Sequence, residues 1–232
     1  MCGWCRRMTN RFQRNGIFTG EEQQQLKHKK IAVIGCGGLG GYAIEMFARV
    51  GIGHLTVVDG DVFDETNLNR QLLCVMDTLG KPKTAIAAER VRKIDPTIQV
   101  NSVWNFIEND NVKEIIKGHD IVIDALDSNV ARYLLVEACR EMEIPYVYGA
   151  IAGWYGQVSV IFPGDMWVRN CLMTASAKGI ESEIGNPSFS PACIASYQVS
   201  QALKVLLDKG GVLREQILFF DMLNNEFEIL EP

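Results

Sequence analysis

"KIAVIGCGGLGGYAIEMFARVG", Lys30 to Gly51, opens on the apolar run Ile31–Ile34, places glycines at Gly35, Gly37 and Gly40, and continues with apolar residues at helical spacing. A strand, a tight glycine turn and a helix N-terminus in that order form the dinucleotide fingerprint. The turn lets backbone approach a phosphate, and the first amides of the helix face it. The fingerprint alone leaves NAD, FAD and ATP open as ligands.

Downstream, strand and helix patterns alternate. Strands are expected at about 54–59, 98–104, 120–126, 144–150 and 156–162, and helices at about 39–50, after Pro82, at 110–118 and at 129–142. Such alternation implies an α/β fold, a doubly wound, mainly parallel Rossmann-like sheet with right-handed crossovers. Residues 163–190 are rich in Gly, Pro and Ser and lack a clear period, which predicts a long loop. A helix over 193–210 closed by Gly210, and antiparallel C-terminal strands near 215–221 and 225–230, complete the expectation of one domain. Its parts are an N-terminal helical arm (1–29), a nucleotide-binding core (30–150) and a region of substrate-tail strands, crossover loop and C-terminal strands (151–232).

With 232 residues, 47% hydrophobic and 22% charged, the chain has the composition of an ordinary globular domain. A formal net charge of −5 gives no general electrostatic reason to expect nucleic acid. No run approaches the ~18 apolar residues of a membrane span, and "MCGWCRRMTNRFQR" has no apolar signal core. The expectation is a cytoplasmic protein with neither a membrane nor a nucleic-acid partner. Seven cysteines, an odd number lying mostly in apolar segments, suit reduced thiols better than a disulfide framework. Cys2 and Cys5 form a C-x-x-C that is half a zinc site, a redox pair or an incidental pair near a chain end; the last is favoured because no second close pair completes it.

The stretch "VVDGDVFDETNLNRQLL", Val57 to Leu73, narrows the ligand. Asp59 lies where the acid of a nucleotide fold binds ribose hydroxyls. Asn67, Arg70 and Gln71 follow, and an added guanidinium makes more sense beside a triphosphate than beside NAD's bridged phosphates. In "GKPK", Lys81 and Lys83 sit at a helix start, where the helix dipole disfavours cations; Lys81 suits a solvated surface, whereas Lys83 suggests an anion nearby. In "DALDSN", Asp124 reads as internal to a strand end. Asp127 offers the carboxylate a magnesium site needs, and Ser128 a helix cap. His28, His54 and His119 read as structural.

Taken together, the glycine loop, "VVDGDVFDETNLNRQ", "GKPK", "DALDSN" and "YGAIAGWYGQVSVIFPGD" resemble the ThiF/MoeB/HesA-type activating enzymes, within the superfamily that includes the ubiquitin-activating enzymes. The resemblance runs from about Arg11 to the C-terminal strands. It implies ATP and Mg2+ as cofactors and adenylation of the C-terminal glycine of a small ubiquitin-like sulfur-carrier protein ending in Gly-Gly, with release of pyrophosphate, in a setting such as thiamin or molybdopterin metabolism. By the same resemblance, Gly37, Gly38 and Gly40 would cradle phosphates and Asp59 would hold the ribose. Asn67, Arg70 and Lys83 would grip the triphosphate, Asp127 would bind magnesium, and Asp61, Gln71 and Asn129 would complete the nucleotide set. In "RFQR", Arg14 matches an arginine that reaches into a partner subunit's site, which implies a homodimer. Trp154 and Tyr155 would wall a channel for the carrier tail, or simply pack beneath the loop.

Carboxylate attack on an α-phosphate brings two anions together, at a cost of about 4 kcal/mol per pair at ~4 Å and an effective dielectric near 20. The reaction therefore needs cations and alignment rather than an enzyme nucleophile. The chain departs from many relatives in lacking two C-x-x-C pairs: near "PGD" only Cys171 remains, and no cysteine follows Cys193. No structural zinc is expected, since such a site takes four ligands, and no covalent cysteine is expected at Cys36, Cys171 or Cys193. Competing readings are adenylation of another carboxylate (a peptide terminus or a modified tRNA base), an NAD(P)-dependent oxidoreductase, and a catalytically silent scaffold. The oxidoreductase leaves Arg70, Lys83 and Asp127 unexplained as a set, and the intact nucleotide set counts against the scaffold.

Overall fold

In β1 (Lys30–Ile34) every residue after Lys30 is buried, and alternate side chains enter different cores. Ile31 and Val33 join one core with α1 (Gly20–Leu26), α2 (Gly38–Val50), α3 (Lys83–Ile94) and α6 (Phe189–Leu207). Ala32 and Ile34 join the other, with α4 (Val112–Ile116) and α5 (Asn129–Glu141). A strand apolar on both faces has to lie inside a sheet covered on both sides, as parallel sheets are. The computed structural model describes residues 11–165 and 184–231.

The sheet has the order β3-β2-β1-β4-β5-β6-β7-β8. Strands β2 (His54–Val58), β3 (Gln99–Val103), β4 (Ile121–Asp124) and β5 (Tyr146–Ala152) run parallel with β1. Strands β6 (Tyr155–Ile161), β7 (Ile217–Asp221) and β8 (Glu226–Leu230) are antiparallel. The doubly wound α/β sheet with antiparallel C-terminal strands is thus observed. Strand order reverses between β1 and β4, and at such a switch point the outgoing loops diverge and leave a crevice at the carboxyl ends of the strands. The outermost strand, β8, is exposed along its whole length, Phe227 and Ile229 included.

The glycine turn obeys two steric demands. Gly35 has φ +102°, a backbone region that disfavours side chains. A Cβ on Gly40 would lie 1.8 Å from the Gly35 carbonyl oxygen, so the helix can approach β1 this closely only without one.

Two expected boundaries are corrected. The last helix begins at Phe189, not 193, because Pro191 falls in the first turn, where its missing N–H costs no hydrogen bond. It closes on Asp208 in the left-handed conformation (φ 48°), not on Gly210. The part of the expected loop over 166–183, with Cys171, and the Cys2/Cys5 pair lie outside the described residues. No helix among the described residues is long and apolar enough to cross a membrane.

His119 packs between α4 and β4. Its Nδ1 lies 2.9 Å from the Ile116 carbonyl and its Nε2 2.8 Å from Thr56 Oγ1 on β2. Burial lowers its pKa, with Lys30 adding to the effect and Asp120 opposing it. A base held neutral in the fold stabilises fully above its unfolded pKa, near 6.5, and loses that contribution as pH falls toward the folded value. The urea midpoint should therefore drop between pH 7.5 and 5.5, and drop less in His119→Gln. Equal losses in the two proteins would remove His119 as the cause.

Candidate active site

A cleft of about 320 Å³ opens at the carboxyl ends of β1, β2 and β4. Its walls include Gly37, Gly38, Asp59, Asp61, Arg70, Gln71, Lys83 and Asp127, which the topology draws from three separate connections, β1–α2, β2–α3 and β4–α5. Gly37 occupies the N-cap of α2 without a side chain to cap it, which leaves the first amides of the helix to a ligand. Added Cβ atoms at Gly37 and Gly38 would lie 3.4 Å from the Gln71 amide and from Pro191 respectively, ordinary contact distances, so these two glycines are not required by packing.

Asp59 follows β2 directly and ties the glycine turn down. Its carboxylate accepts from the amides of Cys36 (2.7 Å) and Asp61 (2.9 Å). Burial pushes the Asp59 carboxyl above the ordinary range, against the pull of Lys83 and of those two amides. Lys83, the first residue of α3, is buried, and its Nζ lies 3.1 Å from Asp61 Oδ2, whereas Lys81 is exposed as expected. Gln71 is buried, and its Oε1 has no hydrogen-bond partner among the described residues. That is an acceptor a ligand donor could satisfy, and buried acceptors seldom go unmatched. Asp127 stands exposed on the rim, and Ser128 caps α5 by accepting from the Ala131 amide.

Other expected site residues fall outside the cleft wall. Gly40 is buried against Gly35 and serves packing. Asn67 is buried, and its Oδ1 accepts from the Asp64 amide, closing a short 3-10 turn (Glu65–Asn67) that carries Arg70 toward the cleft. Asn129 begins α5 with its side chain turned to Arg132. Arg14 is exposed on the N-terminal segment, which Arg11 pins by donating to the Ala48 carbonyl and pairing with Asp95 at 2.7 Å. Burial raises the thiol pKa of Cys36 and of half-buried Cys193, which disfavours thiolate at both. Trp154 packs on Phe189 with centroids 4.5 Å apart, and Tyr155 stacks on Phe219. The zinc expectation turns on Cys171, outside the described residues; among those described, no His, Cys, Asp and Glu side chains cluster to hold a metal.

Three lining residues carried no local signal. Phe106 lies over Gly60 beyond β3, and Asn186 arrives from the segment before α6. The third, Arg132, pairs with fully buried Asp124 at 3.1 Å and donates to the carbonyls of Leu126 (2.5 Å) and Gly149 (3.1 Å). Asp124 also accepts from Tyr146 Oη at 2.6 Å and from the Leu126 amide at 2.9 Å. Burial drives the Asp124 carboxyl upward, with Arg132 the largest opposing influence. The pair straps down the loop that bears Asp127.

A glycine cradle at a helix N-terminus, buried Lys83 and an acidic rim thus meet at the switch point of a parallel sheet, the place where folds of this class bind ligands. The chain belongs to the ThiF family, whose model matches residues 10–232. It is 37% identical over 211 residues to the SAMP-activating enzyme E1 of Haloferax volcanii, spanning 90% of this chain and 78% of that protein. It is 31% identical over 239 residues to the sulfur carrier protein adenylyltransferase of Thermus thermophilus, spanning 98% and 88%. The crystal structure of E. coli tRNA N6-threonylcarbamoyladenosine dehydratase matches with a TM-score of 0.72 at 28% identity, over 88% of this chain and 95% of that one. The chain is accordingly an adenylyltransferase of this family.

Removing one partner of a buried ion pair typically costs about 3–5 kcal/mol. Arg132→Ala should therefore lower stability in urea by that order, and Arg132→Lys by less. A loss below about 1 kcal/mol in Arg132→Ala would mean that the pair does not hold the loop.

Proposed function

We propose that the chain uses ATP to adenylate the C-terminal glycine carboxylate of a small ubiquitin-like sulfur-carrier protein. The observation that carries this reading is the convergence of Arg70 and buried Lys83 with the glycine cradle in one cleft. The printed names of the Thermus and Haloferax relatives support the choice of partner.

In the proposed reaction a carboxylate oxygen of the carrier attacks the α-phosphorus. The bond from that phosphorus to the oxygen bridging to the β-phosphorus breaks, and pyrophosphate leaves with the electron pair. Asp59 would bind the ribose hydroxyls, and the α2 amides would face the phosphates. Lys83 would exchange its Asp61 partner for phosphate oxygens, and Arg70 would offer planar donors to the departing pyrophosphate. Asp127 would hold magnesium, which when bound neutralises phosphate charge. Trp154 and Tyr155 would flank the incoming carrier tail along β6, and Arg14 would serve the site of a second subunit in a homodimer.

A second reading, adenylation of a non-carrier carboxylate, draws on the likeness to the E. coli tRNA-modifying dehydratase, and the net charge of −5 weighs against a polyanionic partner. ATP–pyrophosphate exchange separates the two when run with Gly-Gly-ended carriers, with tRNA and with neither. Exchange should require a carrier and fall by about 10²-fold or more in Lys83→Ala and Asp127→Ala, the usual scale for removing a preorganised charge. Exchange supported by tRNA alone would replace the first reading with the second. Unchanged exchange in both variants would overturn the residue assignments.

A further inference from the structure

Asn69 does not line the cleft, yet both ends of its amide are engaged. Its Oδ1 accepts from Arg70 Nη1 at 2.9 Å, and its Nδ2 donates to the Asn186 carbonyl at 3.2 Å, across 117 residues of sequence. The chain of hydrogen bonds goes on from there. Asn186 Oδ1 accepts from the Gly153 amide at 3.2 Å, an amide that the Gly185 carbonyl also accepts at 2.8 Å. Gly153 is the turn between β5 and β6, held in the left-handed region at φ +58°, and its carbonyl accepts from buried Ser190 at the start of α6. Hydrogen bonds therefore link the arginine at the phosphate end of the cleft to the hairpin that begins β6 through Asn186, which accepts from Asn69 on its backbone carbonyl and from Gly153 on its side-chain Oδ1.

We propose that Asn69 is a positioning residue that couples occupancy of the phosphate end of the cleft to the β5–β6 turn. The inference rests on the reading that Arg70 grips phosphate. In the structure, Arg70 Nη1 is shared between Asn69 Oδ1 and the Thr66 carbonyl (3.1 Å), both neutral acceptors. A phosphate oxygen is a stronger acceptor for a guanidinium than either. Drawing Arg70 onto phosphate withdraws the cation that polarises the Asn69 amide and weakens its donation to Asn186, because bonds in a chain strengthen one another. Asn186 then holds Gly153 differently. The turn next to the proposed carrier-tail strand thus responds to nucleotide without touching it.

Spatial continuity by itself is not coupling, so the test reads the coupling directly. Amide hydrogen exchange of residues 152–156 is measured with and without MgATP in the wild type, in Asn69→Leu, which loses both bonds, and in Asn69→Asp, which keeps the acceptor for Arg70 but loses the donor to Asn186. MgATP should change exchange of that segment by about threefold or more in the wild type, the scale of one exposed hydrogen bond. Both variants should still bind MgATP and melt near the wild type but lose the change. A change of undiminished size in Asn69→Leu and Asn69→Asp, or none in a wild type that binds MgATP, overturns the coupling. The parent reading fails separately, if Arg70→Ala binds MgATP as tightly as the wild type.

Discussion

A carboxylate with no exposure to solvent at the end of β4 is the constraint around which this site is organised. Asp124 costs several kcal/mol to bury unless it is paired. It is paired three ways: with Arg132 from α5, with Tyr146 from β5, and with the Leu126 amide one peptide beyond the strand. Arg132 also donates through Nη2 to the carbonyls of Leu126 and Gly149, and through Nη1 to Asn129 Oδ1. One ion pair thereby sets the exit of β4, the start of α5 and the middle of β5 relative to one another. Asp127 stands on the loop those contacts hold, so the placement of a rim carboxylate follows from the neutralisation of a buried one.

Much of the fold was legible because parallel strands covered on both faces must be apolar throughout, and Ile31–Ile34 and Ile121–Ile123 satisfy that with no polar interruption. The site was legible for a related reason. Loops at the carboxyl ends of such strands meet in space, so Gly37, Asp59 and Asp127 could be assigned to one place while far apart in the chain. Arg132 escaped notice because a cation inside an amphipathic helix pattern resembles a surface residue, and only tertiary structure shows what it faces. Phe106 and Asn186 sit in irregular segments whose destinations no periodicity encodes. Gly40 and Asn67 were assigned to the ligand by position in a motif, whereas sterics and a turn's own hydrogen bonding account for them in the structure.

Two of the three cations lining the cleft are paired with acids. Lys83 has Asp61, Arg132 has Asp124, and Arg70 has only neutral oxygens. Were a polyanion to enter, as proposed, it would meet one side chain that must surrender an ion pair and one that need not. Lys83 is buried while Asp61 is more than half exposed, so the exchange leaves the acid to water rather than stranding it. The energetics of entry are milder than a count of lysines and arginines suggests.

The outermost strand carries a different consequence. Among the described residues no strand pairs with the outer side of β8, and along it Glu226 and Glu228 alternate with Phe227 and Ile229, the acids projecting to one face and the apolar side chains to the other. An exposed strand edge is a template for pairing with another strand, and charged side chains along it are one of the features that discourage such pairing. The sequence pI is about 5.3. Near that pH the net repulsion between molecules is least, and it is there that this exposed edge is least guarded against self-association.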